Sequence, residues 1–218
     1  MFKIKYEYWR TNVKKIYLLI MLVLSLLLVG FGCSTGGSAS KAGEAPGDYT
    51  TLTHGDITVR LSYLTQKDLY KLYSSSNNPY ITYKSGALVV IDTVVQSGSP
   101  VSLQLENAQL SSPGGIRGPV PKQEVHDYWY SKLIKNYSSY KGGKGGGIYS
   151  NWSLKVTTQR IEEQMYPDTV NVSPGSETAG YIAFDPVPGE KEAQATLVLP
   201  VYDQNGKQIH EFEFRFSL

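Results

Sequence analysis

Cysteine is nearly absent. Cys33 is the only one in 218 residues, so no intrachain disulfide can form and the folded part must be held by its core. Histidine is also scarce. His54, His126 and His210 lie too far apart in the chain for local metal-ligand spacing, and no second thiol is there to help. The reactive motifs are missing as well. Gly142 to Gly147 is glycine-rich around Lys144, but no Gly-Lys-Ser/Thr closes it and no apolar strand precedes it, which excludes a phosphate loop. Ser138-Ser139-Tyr140-Lys141 and Lys84-Ser85-Gly86 stand in the reverse order to the penicillin-recognising motifs, without Ser-Asp-Asn between them, and there is no Gly-x-Ser-x-Gly. A basic stripe for nucleic acid is lacking too. Residues 1–32 hold five basic and one acidic residue, and the other 186 hold 16 basic and 18 acidic, a net of −2.

What is present begins with one apolar run. The seventeen residues Ile16 to Gly32 carry no charge, and Lys3, Lys5, Arg10, Lys14 and Lys15 precede them against a single Glu7. Basic flank, apolar core and small residues form the layout of an export signal. Seventeen residues are at the short end for a span, since crossing a hydrocarbon core takes about 20. The basic flank directs the remainder of the chain away from the cytoplasm, whether the signal is cut or retained.

Leu28-Val29-Gly30-Phe31-Gly32-Cys33 resembles the end of a bacterial lipoprotein signal. Gly32 fits the position before the cysteine. Gly30 and Phe31 stand where that signal usually has an aliphatic and a small residue. The resemblance covers about the first 33 residues and implies that 1–32 are removed and that Cys33 becomes the acylated N-terminus, holding the protein to a membrane. Ser34 at the next position implies the outer membrane if the source has one. The alternative is an uncleaved helix with a buried thiol. Stable anchoring generally takes more than one acyl chain, a condition a lipoprotein cysteine meets.

Residues 33–48 read as a tether. From Ser34 to Asp48 no apolar residue is larger than alanine, too little to offset the entropy of ordering. Such a coil has a root-mean-square reach of roughly 20 Å.

Residues 49–218 are one domain, long enough for a sizeable core. In Glu211-Phe212-Glu213-Phe214-Arg215-Phe216 aromatics alternate with charges, and Thr196 to Tyr202 is an apolar strand. Asn205-Gly206 between them predicts an antiparallel hairpin over 193–217, with Pro200 needing an edge or a bulge. Further strands are expected at 56–64, 87–96, 101–110, 169–172 and 179–185. Ile57, Val59 and Leu61 face one way in the first of these, and Ala87 to Ile91 reads as buried on both faces. Short strands with turns at Gln96–Pro100 and Val172–Gly175 predict a two-sheet antiparallel sandwich.

The stretches Leu88 to Asp92, Pro100 to Leu103, Ser173 to Phe184 and the Asn205-Gly206 hairpin resemble bacterial lipoproteins with an immunoglobulin-like, telokin-like extracellular domain. They cover about half the domain. The resemblance implies an immunoglobulin-like β-sandwich and brings no catalytic residues.

Two segments break the strand rhythm. Thr65 caps a short helix running to Tyr73. An insertion from about 111 to 165 opens on a loop at Ser111–Gly115. It continues as a helix over 121–137, a glycine hinge at 142–147 and a second helix capped by Ser150 or Asn151 and running to Met165. This insertion is where a functional surface is expected. Seven aromatics crowd it, namely Tyr128, Trp129, Tyr130, Tyr137, Tyr140, Tyr149 and Trp152. Tyrosine and tryptophan combine contact area with a polar tip, which suits a face for an envelope protein or a glycan. The competing assignment packs some of them inward. His126 beside Asp127 and near Glu124 is the one candidate metal or enzymatic group, set against a solvated helix face. Asn136, Asn151 and Asn171 open glycosylation triplets that a bacterium does not normally use. The leading expectation is a lipid-anchored envelope protein that binds rather than catalyses, with no cofactor. A metal-binding protein or enzyme and a passive envelope spacer are the alternatives.

Overall fold

A computed structural model describes residues 49–73, 78–84, 86–139, 146–186 and 193–218, with the backbone alone over 136–139 and 146–151. The expected signal, Cys33 and tether lie outside the described residues. Two antiparallel sheets form. The first runs β1 (Thr50–His54), β2 (Ile57–Leu64), β3 (Val89–Ser97), β8 (Glu177–Phe184). The second has β9 (Gln194–Tyr202) at its centre and β10 (Gln208–Ser217) on one side. On the other side lie β4 (Val101–Gln104) and β5 (Gln109–Ser112), end to end, with β7 (Thr169–Val172) beyond β4 and β6 (Gly115–Arg117) beyond β5. The β2-β3-β8 and β4/β5-β9-β10 neighbours are the A-B-E and C-F-G neighbours of an immunoglobulin-like sandwich.

Period-two patterning builds the interior. Ile57, Val59, Leu61, Ile91, Val95, Ile182 and Phe184 of the first sheet meet Leu103, Leu110, Leu197, Leu199, Val201, Phe212 and Phe214 of the second in one buried cluster. β3 is buried on both faces, as Ala87 to Ile91 predicted. Val89 and Ile91 point into the sandwich, while Val90 joins a second cluster outside it.

That second cluster is a layer of helices. α1 (Gln66–Leu72) starts at a full capping box in which Thr65 Oγ1 accepts from the Asp68 N–H (3.2 Å) and Asp68 Oδ2 from the Thr65 N–H (3.2 Å). α2 (Lys122–Ser139) and α3 (Gly146–Gln164) are the excursion. Both its ends are sewn to β8, because the Val120 N–H donates to Ala183 O (2.8 Å) on the way out and the Tyr166 N–H to Tyr181 O (3.1 Å) on return. Lys122 Nζ meets Glu162 Oε2 at 3.0 Å, joining the start of α2 to the end of α3, so the helices run antiparallel. Val125, Trp129, Ile161 and Met165 cover Leu64, Val90, Tyr181 and Ala183 on the outer face of the first sheet.

Four expectations are corrected. The strand over 101–110 is broken at a 3₁₀ turn, Leu105–Asn107, whose Leu105 and the following Ala108 still face the core. Residues 111–115 are not a loop but the tip of the β5–β6 hairpin, since Ser111 pairs with both Thr196 and Ile116. Ser150 and Asn151 do not cap α3. They lie inside it, because the helix already runs from Gly146. Pro200 sits in the central strand and not at an edge, while a bulge, the other expected setting, lies beside it, in β10 between Gln208 and His210. β4 pairs with 201–202 and β5 with 196–198, so Pro200 faces the interruption between them, where no ladder donor is required.

Candidate functional site

The insertion's aromatics divide by helical phase. Val125 and Trp129, four residues apart, fall on the buried face of α2. Trp129 is 5% exposed and its indole Nε1–H donates to Pro79 O at 2.9 Å, tying the 78–84 segment to the helix. Tyr128 is half-buried. Its ring meets Tyr83 (centroids 4.8 Å) and Trp129 (5.8 Å) edge-on. The Lys132 ammonium lies 4.5 Å from the Trp129 ring and 5.3 Å from that of Tyr128. These two aromatics are structural anchors. Tyr130 is on the other face, 47% exposed, and Trp152 on α3 is 58% exposed. The side chains of Tyr137, Tyr140 and Tyr149 lie outside the described residues.

Other tyrosines are structural as well. Tyr73, Tyr80 and Tyr181 cluster under α3. The Tyr73 and Tyr181 hydroxyls are 2.9 Å apart, and Arg160 stacks 5.1 Å from the Tyr73 ring. Burial pushes all three phenols up.

His126, Glu124 and Asp127 do not converge. Glu124 Oε1 accepts from Lys84 Nζ (2.7 Å) and the Tyr83 hydroxyl (2.9 Å), and these bonds, Lys84's first, hold its carboxyl below the usual range. The Tyr83 phenol rises to about 12, through burial first and then this carboxylate. Asp127 Oδ1 instead meets His126 Nδ1 (3.1 Å) and Gln123 Nε2 (2.8 Å). Among the described residues no three His, Cys, Asp or Glu side chains are placed to hold a metal ion.

A cleft of about 290 Å³ lies where the helices root on the sandwich, lined by Glu106, Lys122, Asp168, Tyr166 and apolar neighbours. Its Lys122 is engaged by Glu162, and no Ser, Thr, Cys or His is among its lining residues. A second cleft, of about 490 Å³, lies between the Ser173–Pro174 and Asp203–Gly206 turns.

The solvent-facing stripes of α2 and α3 carry a pattern that residue counts alone conceal. On α2 the exposed positions begin with Gln123, Glu124 and Asp127 and pass to Tyr130, Ser131, Ile134 and Lys135. On α3, read backwards from its end, they are Glu163, Glu162, Gln159, Lys155 and Trp152. Because the helices are antiparallel, both stripes are acidic at the sandwich end and aromatic, apolar and basic toward the far end. No described helix is long and apolar enough to cross a membrane. No family model matches the chain, and no curated protein matches it.

Proposed function

We propose that this protein is a cell-envelope lipoprotein, acylated on Cys33, whose sandwich domain works by binding through its helical layer and not by catalysis. The observation that carries the binding part is the exposure of Tyr130, Ile134 (38%) and Trp152 together on the outer stripes of α2 and α3. Full burial of an exposed large apolar side chain is worth roughly 1.5–3 kcal/mol, and a partner surface would recover the part of this that these half-exposed side chains still leave in water. The envelope part rests on the basic flank, the apolar run and Gly32-Cys33.

Two measurements test it. Intact mass of the protein recovered from membranes should correspond to residues 33–218 plus acyl groups, and a full-length mass with an unmodified thiol refutes the anchor. A photo-crosslinker at position 130 or 152 in intact cells should yield a discrete adduct that a crosslinker at exposed Gln96 on the sandwich does not. Equal yields at all three positions refute the helical layer as the binding face.

A further inference from the structure

We propose that the outer half of the α2–α3 hairpin docks on an anionic phospholipid surface, through Tyr130, Ile134, Lys135, Trp152 and Lys155; this rests on the binding role given to the helical layer above. The first ground is charge. From Tyr128 to Ile161 the sequence has six cations, Lys132, Lys135, Lys141, Lys144, Lys155 and Arg160, and no Asp or Glu. The remainder of residues 49–218 has nine basic and 16 acidic residues, a net of −7. A domain whose charge is divided in this way between the chain of its helical excursion and the rest is oriented by a negative surface, its acidic bulk turned away.

The second ground is the kind of side chain set among the cations. A soluble polyanion would satisfy lysines but offers no apolar environment for Ile134. A bilayer interface accommodates all of them at once. Tryptophan and tyrosine rest at headgroup depth, an aliphatic chain enters the acyl boundary, and lysine stems lie along it with their ammonium groups at the phosphates. The packing leaves these five side chains exposed. Val125, Trp129 and the half-buried Leu133 hold α2 to the sheet, while Tyr130, Ile134, Lys135 and, on α3, Trp152 and Lys155 face outward.

The test uses the full acylated protein in vesicles of brominated phosphatidylcholine, with or without phosphatidylglycerol. The Trp152 signal is the emission difference between wild type and Trp152→Phe. With phosphatidylglycerol that signal should be quenched, and it should recover in about 0.5 M salt, where the screening length falls to a few ångströms. Lys135→Ala/Lys155→Ala should shift the docked-to-undocked ratio by roughly 30-fold, from about fivefold per lysine near an anionic surface. Both lysines are exposed, and an unchanged near-ultraviolet dichroism spectrum shows that the variant is folded. Quenching that is equal in both vesicle types and insensitive to salt overturns the anionic-lipid assignment. An unquenched Trp152 with a discrete protein or glycan crosslink at 152 also overturns it, while leaving the binding role standing. An unquenched Trp152 with no position-specific crosslink overturns both.

Discussion

The Tyr49 hydroxyl donates a 2.6 Å hydrogen bond to Asp92 Oδ2, and Asp92 is fully buried on the outer face of β3. Its other oxygen, Oδ1, has no partner among the described residues. Burial raises the Asp92 carboxyl, with Tyr49, the Thr93 backbone and Arg60 acting in the opposite direction. Tyr49 thus fastens the start of the described domain to its central strand. Tyr49→Phe should destabilise the domain by about 1–3 kcal/mol, since a buried carboxylate then loses its side-chain donor. Urea unfolding checks this, and a change under a few tenths of a kcal/mol would show that the bond holds nothing.

The same carboxylate sets a pH dependence of unusual sign. A carboxyl raised in the folded state binds its proton more readily there than in the unfolded chain. Its contribution therefore falls as pH rises from the unfolded value, about 3.9, through the raised folded value, and is flat on either side. Asp68, Glu124 and Asp203 are lowered and act oppositely, losing stability as pH falls. The difference in unfolding free energy between wild type and Asp92→Asn isolates the Asp92 part. It should become less favourable to wild type as pH increases across that window.

Histidine supplies a second titration, made by tertiary contact alone. His54 of β1 and His210 of β10 stack with ring centroids 3.7 Å apart and planes 6° from parallel, joining the edges of the two sheets. The His210 pKa is lowered by burial first and by His54 next, with Glu211 opposing. A lowered folded value means this contribution is complete above about 6.5 and is lost as pH falls from there through the folded value. NMR titration should place His210 below 6.5, and His54→Ala should move it upward. A His210 value unaffected by His54→Ala would mean that the stack carries no electrostatic coupling.

Much of this architecture could be read from residue order, and the parts that could not have physical causes. Ala87 to Ile91 announced a strand covered on both faces, and the structure supplies the second cover in α2 and α3. Phe212, Phe214 and Phe216 announced their buried face because period two needs no partner to be seen. Thr65 and Asp68 announced a helix start through purely local bonds. Thr50 to His54 announced nothing, for an edge strand buries little and its pattern is weak. The break at Leu105 was hidden because both pieces keep their apolar faces inward. Among the insertion's aromatics, Trp129 and Tyr130 are chain neighbours about 100° apart on one helix, the first buried and the second exposed. Composition groups them, and only the phase set by Val125 and Ile161 separates anchor from exposed face. The His54–His210 stack depends on how two sheets meet, which no local spacing encodes.

Tyr166 marks where the chain leaves α3 and re-enters the sandwich. Its hydroxyl lies 2.7 Å from the Thr178 carbonyl and 2.9 Å from that of Thr93, and its ring lies flat over Gly180, where an added Cβ would come within 2.7 Å of Cδ1. That ring is in the core and its neighbours are strand backbone, so neither side can yield cheaply. Gly180→Ala should cost about 1–3 kcal/mol by overpacking. Tyr166→Phe should cost roughly 1 kcal/mol for the lost hydroxyl bond. The two are in contact, so their effects should not add. If Gly180→Ala displaces the ring and already breaks the hydroxyl's bonds, Tyr166→Phe in that background should cost nearly nothing. A double-mutant cycle measured by urea unfolding decides the matter, and strict additivity would mean the ring stays in place and the strain is absorbed by the strand instead.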